Sequence, residues 1–144
     1  MPLFYDPTVG LTRTQLKAAP VTYSTGLKEK IASLQTTDAT STVIWTLSNI
    51  LEGTTVWIDC KICAQETSDA ERAGYQVSGL FYRPAAGAVT QQGSTVSKFT
   101  IESDANYDVE FNISSPDLEL KVTGAAGDTT NWVAIIQYFI VTDS

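Results

Sequence analysis

The chain has 144 residues, with 9 Lys and Arg against 16 Asp and Glu and a formal net charge of -7; phosphate backbones and anionic lipid surfaces would repel it, which argues against a nucleic-acid partner. It contains no histidine, so the commonest general base and the commonest imidazole metal ligand are both missing, and triad hydrolysis and most zinc chemistry drop out with them. The length is that of one domain with one core, and the longest apolar run, Trp132 to Val141, is interrupted by Gln137 and falls short of the roughly 18 residues that span a bilayer, so a soluble chain without membrane insertion is expected.

The N-terminus has no basic segment followed by an apolar run and a cleavage site, so synthesis in a cytoplasm without secretion is expected. Residues 1 to 34 contain Pro2, Pro7 and Pro20 and show no sustained alternation; they read as an irregular arm ahead of a β domain over 35–144. Within the arm Leu27, Ile31 and Leu34 recur at i, i+4 and i+7, with Thr25 available as an N-cap. Two or three helical turns over 25–34 and a loop pinned by the same three side chains both remain open, because so short a helix is marginal alone. A segment this small cannot build its own core, so it is expected to pack on its own domain, a sister subunit or a host surface.

From Thr36 the period changes to two and the residues become β-branched and aromatic. Val43, Trp45 and Leu47 form one face of a strand, Glu52-Gly53 supplies a turn, and Val56, Ile58, Cys60 and Ile62 resume the inward set, which predicts a hairpin. A polar loop over 67–74 precedes a strand with Tyr75, Val77, Gly79 and Phe81 on one face. After the Pro84-Ala85-Ala86-Gly87 turn, two weaker strands, Ala88 to Thr90 and Val96 to Ile101, flank a turn at Gln91-Gln92-Gly93-Ser94. Tyr107 to Ser114 and Leu118 to Val122 alternate on either side of Ser115-Pro116-Asp117, and a Gly-rich loop leads into the final run, which is apolar on both faces. Eight or so short strands at this spacing predict an all-β fold, an antiparallel β-sandwich or jelly roll preceded by the arm.

No constellation here calls for catalysis, a metal or a cofactor. Cys60 and Cys63 have C-x-x-C spacing but lie in a strand, where residues three apart face opposite ways; Cys60 should face the core and Cys63 the other side, and no second ligand pair completes a zinc site. Asp108 and Glu110 share a strand face as a glycosidase pair would, but so do the residues of any solvated strand face. Ser68-Asp69 and Ser103-Asp104-Ala105-Asn106 offer calcium-type oxygens, yet Asx turns explain them more simply. The loop Gly124 to Asn131 lacks the helix and lysine of a phosphate loop. Trp45 and Trp132 sit in strong apolar patterns, whereas Trp57 alternates out of phase with Val56 and Ile58 and shares a face with Asp59 and Lys61. The candidate interface residues are therefore Leu27, Ile31 and Leu34 of the arm, Trp57, and Trp132 and Phe139 on the two faces of the last run.

The stretch Phe99 to Val109, with Glu102-Ser103-Asp104-Ala105-Asn106-Tyr107-Asp108, continues through Val122-Thr123-Gly124-Ala125-Ala126-Gly127-Asp128-Thr129-Thr130-Asn131-Trp132. It resembles a pattern of small tailed-bacteriophage structural proteins and of the C-terminal ends of phage fibre proteins. Gln35 to Thr40, Ala73-Gly74-Tyr75 and Phe81-Tyr82-Arg83 fit the same module, so the resemblance covers about residues 35 to 141. It implies a non-enzymatic virion protein, a capsid decoration (cement) protein or short fibre, forming a homo-oligomer ranked as a trimer and contacting other capsid or tail proteins. The alternative is a receptor- or carbohydrate-binding module for a host-surface glycan, with Trp57 and the loops around Asp69, Gly87 and Asp128 as its recognition end.

Overall fold

The computed structural model describes residues 26–143. These form eight strands, β1 (Lys28–Thr36), β2 (Thr42–Leu47), β3 (Thr54–Glu66), β4 (Arg72–Arg83), β5 (Thr90–Glu102), β6 (Asp108–Ser114), β7 (Asp117–Thr123) and β8 (Thr130–Thr142), with no helix among the described residues. They make two antiparallel sheets, one of five strands in the order β1-β8-β3-β4-β5 and one of three in the order β2-β7-β6. The expected sandwich is the observed architecture.

Strand periodicity places the core between the sheets. Val56, Ile58, Cys60 and Ile62 of β3, Tyr75, Val77 and Phe81 of β4, and Trp132, Ala134, Ile136 and Tyr138 of β8 are buried against Leu118, Leu120 and Val122 of β7. Aromatic pairs tie the layers together: Trp45 meets Tyr138 at 5.5 Å between ring centroids and Phe81 meets Phe111 edge-on at 5.4 Å. Each fully buried aliphatic or aromatic side chain contributes about 1.5–3 kcal/mol, so this layer dominates stability.

Four expectations are corrected. The short helix or pinned loop expected over 25–34 is instead β1 from Lys28 onward, hydrogen-bonded along β8 from Lys28 opposite Tyr138 to Thr36 opposite Thr130. Its period is two, so Leu34, opposite Trp132, packs on the core while Ile31, opposite Ile135, faces outward. Residues 1–25 of the expected arm lie outside the described residues. The hairpin of β2 with β3 does not form: β2 pairs with β7, β3 with β4 and β8, and the intervening loop crosses from one sheet to the other. That crossing is pinned by Asn49 in the left-handed region (φ 57) and by bonds from the Asn49 and Ile50 backbone N–H groups to Asp117 Oδ1 and the Pro116 carbonyl, each 2.8 Å. A bulge between Val43 and Trp45 resets the phase of β2, so Ile44 is buried and Val43 is not. The two weak strands around Gln91 to Ser94 are one strand, β5, whose turn signal is absorbed as register shifts with Gly93 at φ 75.

The segment from Glu102 to Trp132 is tied to β1 by side-chain contacts. The Trp132 indole N–H donates to Thr36 Oγ1 at 2.9 Å, Tyr107 packs edge-on against Trp132, and the Tyr107 hydroxyl bonds Thr130 Oγ1 at 3.1 Å. Gly124 passes so close to β1 that a Cβ on it would lie 2.5 Å from Thr36 Oγ1. Asp104 closes an Asx turn onto the Asn106 backbone N–H at 2.8 Å, the simpler of the two readings of that acidic turn.

Candidate assembly surface

The face of the five-stranded sheet turned away from the core is built by the residues that alternate with the buried set. On β8 these are Val133, Ile135, Gln137, Phe139 and Val141, and all four apolar ones are exposed. The registers align them with their neighbours into rows across the sheet. One row runs Ser33, Val133, Cys63, Gly74, Ile101; the next runs Ile31, Ile135, Lys61, Gln76, Phe99. Beyond a third row of Glu29, Gln137, Asp59, Ser78 and Val96, a fourth carries Phe139, Trp57, Leu80 and Gln92. Two apolar bands thus flank a polar one.

The polar row is satisfied from within the chain. Asp59 is 6% exposed, accepts from Ser78 Oγ and from Gln76 Nε2 at 3.3 Å, and has the Lys98 ammonium 3.8 Å away. Gln137 Nε2 donates to Glu29 Oε2 at 2.9 Å. Lys98 sits where β5 shifts register against Gln76 and Val77, and its Nζ lies 5.9 Å from the Trp57 ring centroid. Beside the polar row, an open groove of about 350 Å³ is lined by Lys61, Cys63, Gly74, Phe99, Val133 and Ile135. The Phe99 ring edge would stand 3.1 Å from a Cβ at Gly74, so that glycine is what lets the ring lie down on the sheet.

Of the six candidate interface residues, Ile31, Trp57 and Phe139 belong to this face, with Trp57 and Phe139 stacked at 5.5 Å. Leu27 is exposed just before β1, and Leu34 packs on the core. Trp132 is fully buried inside the sandwich, so its role is intramolecular. Val96, Phe99 and Ile101 of this face are residues that sequence reasoning misses: Phe99 and Ile101 alternate two apart in a Ser- and Thr-rich strand, but Val96, three before Phe99, joins them only through the register shift of β5.

The cysteines are placed as expected, Cys60 in the core and Cys63 exposed on the outer face. Burial pushes the Cys60 thiol well above the ordinary thiol range, and neighbouring Asp59 adds to the effect. Asp108 and Glu110 are exposed on β6, where Glu110 faces Lys121 and accepts from Ser41 Oγ at 3.3 Å. The loops expected to form one recognition end do not converge. Asp69 and Asp128 lie in turns at the Glu66–Thr130 end of the sheet, whereas Gly87 lies in the turn beyond Arg83 at the other. Around Asp128, partial burial and the carboxylates of Glu66, Asp104 and Glu71 hold its carboxyl above the usual range.

No protein-family model matches the chain, and no curated protein does. Among solved structures, the crystal structure of the Acinetobacter baumannii phage AM24 tailspike protein is similar at a TM-score of 0.45 and 9% identity, over 81% of this chain and 26% of that chain. The chain thus spans about a quarter of the length of that tailspike chain.

Proposed function

We propose that this chain is a non-enzymatic structural protein of a tailed-phage virion, a capsid decoration (cement) protein or a short fibre. It works as a homotrimer and binds the particle through the N-terminal arm, whose last residues from Lys28 onward are strand β1 of the sheet, and through the β domain. The observation that carries this reading is the outer sheet face, where Ile31, Trp57, Phe99, Ile135 and Phe139 stand open to water in a chain of net charge -7. Exposed apolar side chains gathered in two bands on one sheet face are contact surface. The pattern from Thr123-Gly124 to Asn131-Trp132 supports the virion setting, and the resemblance to threefold phage proteins ranks three copies over two. Quantitative mass spectrometry of particles whose genome encodes the chain should find it in fixed stoichiometry with a capsid or tail protein. Its presence only in the soluble host fraction would overturn the reading.

A second reading, a receptor- or carbohydrate-binding module, is favoured by Trp57 alone: the residue is 36% exposed and has the Lys98 ammonium 5.9 Å from its ring centroid. An aromatic plane next to a charged donor suits a sugar face. Glycan-array binding that disappears in Trp57→Ala would favour this module, while no binding to any glycan or cell envelope leaves the structural role ahead.

A further inference from the structure

We infer that the outer face of the five-stranded sheet is where a second copy of this chain docks, so that copies meet through β8, β3 and β5. The inference rests on the oligomeric reading above and deepens it by assigning the surface.

Area is the first argument. Five strands at about 4.8 Å spacing and roughly nine residues at about 3.3 Å each give a face of roughly 700 Å², close to the ~800 Å² per partner of a standard-size interface. Its exposed apolar side chains run from Trp57 at 36% to Ile31 at 73%. Charge is the second. The chain carries -7 overall, but in the four rows Lys61 and Lys98 balance Asp59 and Glu29, with Lys98 3.8 Å from Asp59, so net self-repulsion is kept off the contact. A polar row whose groups are bonded to one another is also one that can be covered without stranding a donor or acceptor. The pattern of β5 is the third. Its Ser97 and Thr100 lie opposite Val77 and Tyr75, residues of the core face, while Val96, Phe99 and Ile101 point to the outer face; all five are exposed. A strand facing water would carry the reverse arrangement.

Cys63 lines the groove on the central strand β3 and reports on its coverage, whereas Cys60 is buried. The test combines sedimentation of the full chain from about 1 to 100 µM with alkylation of Cys63 by a small maleimide, in the parent and in Phe99→Glu with Ile135→Glu. The parent should sediment as a multiple of 15.6 kDa, with Cys63 reacting at least about tenfold more slowly than in the monomeric double variant. Three results overturn the inference. The parent is monomeric with Cys63 reactive; it is monomeric with Cys63 protected, which makes residues 1–25 the cover; or it is oligomeric with Cys63 as reactive as in a monomer, which puts the contact elsewhere. The parent's concentration dependence decides the matter even where the double variant does not fold. An oligomer of this kind that never associates with particles would sink the virion role and leave the surface assignment standing; a monomer that does would do the opposite.

Discussion

The hydrogen bond from the Trp132 indole N–H to Thr36 Oγ1 joins β8 to β1 across 96 residues of chain, and breaking it tests whether β1 belongs to the folded core. Trp132 has no exposed surface and Thr36 is 4% exposed, so water cannot replace either partner. Thr36→Val keeps the shape but leaves the indole N–H orphaned, a cost of about 2 kcal/mol. Trp132→Phe removes the donor, leaves a small cavity and orphans the threonine hydroxyl, for about 3 kcal/mol. The double variant has no orphaned group and should lose about 3.5 kcal/mol, less than the sum of the singles by about 1.5 kcal/mol. Urea unfolding followed by far-UV circular dichroism, at one fixed protein concentration, measures all four corners of the cycle. Costs that add to within about 0.5 kcal/mol, or a Thr36→Val variant as stable as the parent, would show that the bond is not formed and that β1 is not docked on β8 as described.

Gly124→Ala should cost about 1–3 kcal/mol by urea unfolding, because its Cβ would meet Thr36 Oγ1 at 2.5 Å and the Asp38 carbonyl at 3.0 Å. Gly93→Ala, in open space at φ 75, should cost only about 1 kcal/mol. Cys60→Ser should lose about 2 kcal/mol by placing a hydroxyl in the core, whereas Cys63→Ser should stay within about 0.5 kcal/mol; stoichiometric zinc in the purified protein would contradict this reading of the pair. The Asp128 carboxyl has a folded pKa above its unfolded value, so its contribution is fully present below about pH 4 and is lost as pH rises through the folded pKa. Asp128→Asn should therefore flatten the fall in melting temperature above that pH and be the more stable form at pH 7; an unchanged profile would remove the carboxylate cluster as its cause.

What the sequence determined by itself is what alternation encodes. In β3, β7 and β8 the period of two separates the buried set from the other face, because each side chain's direction is fixed by its own backbone. The same logic oriented Cys60 against Cys63 and marked β8 as apolar on both sides, which made half of the outer face legible from Val133, Ile135, Phe139 and Val141. Pairing was another matter. Leu27, Ile31 and Leu34 fit a helix as well as a strand, and the choice went to β1 because β8 offered a free edge for nine residues, a partner that lies about a hundred positions along the chain. The β2–β3 hairpin failed for the converse reason: neighbours in sequence pair often, but here Asn49 and the bonds to Pro116 and Asp117 turn the chain across the sandwich. The other half of the outer face, Phe99 and Ile101, became visible only when β4 brought β5 alongside Gly74 and Gln76. Local sequence sets which way a side chain points; which strands lie side by side is decided by hydrogen-bond partners and packing surfaces that only the folded chain brings together.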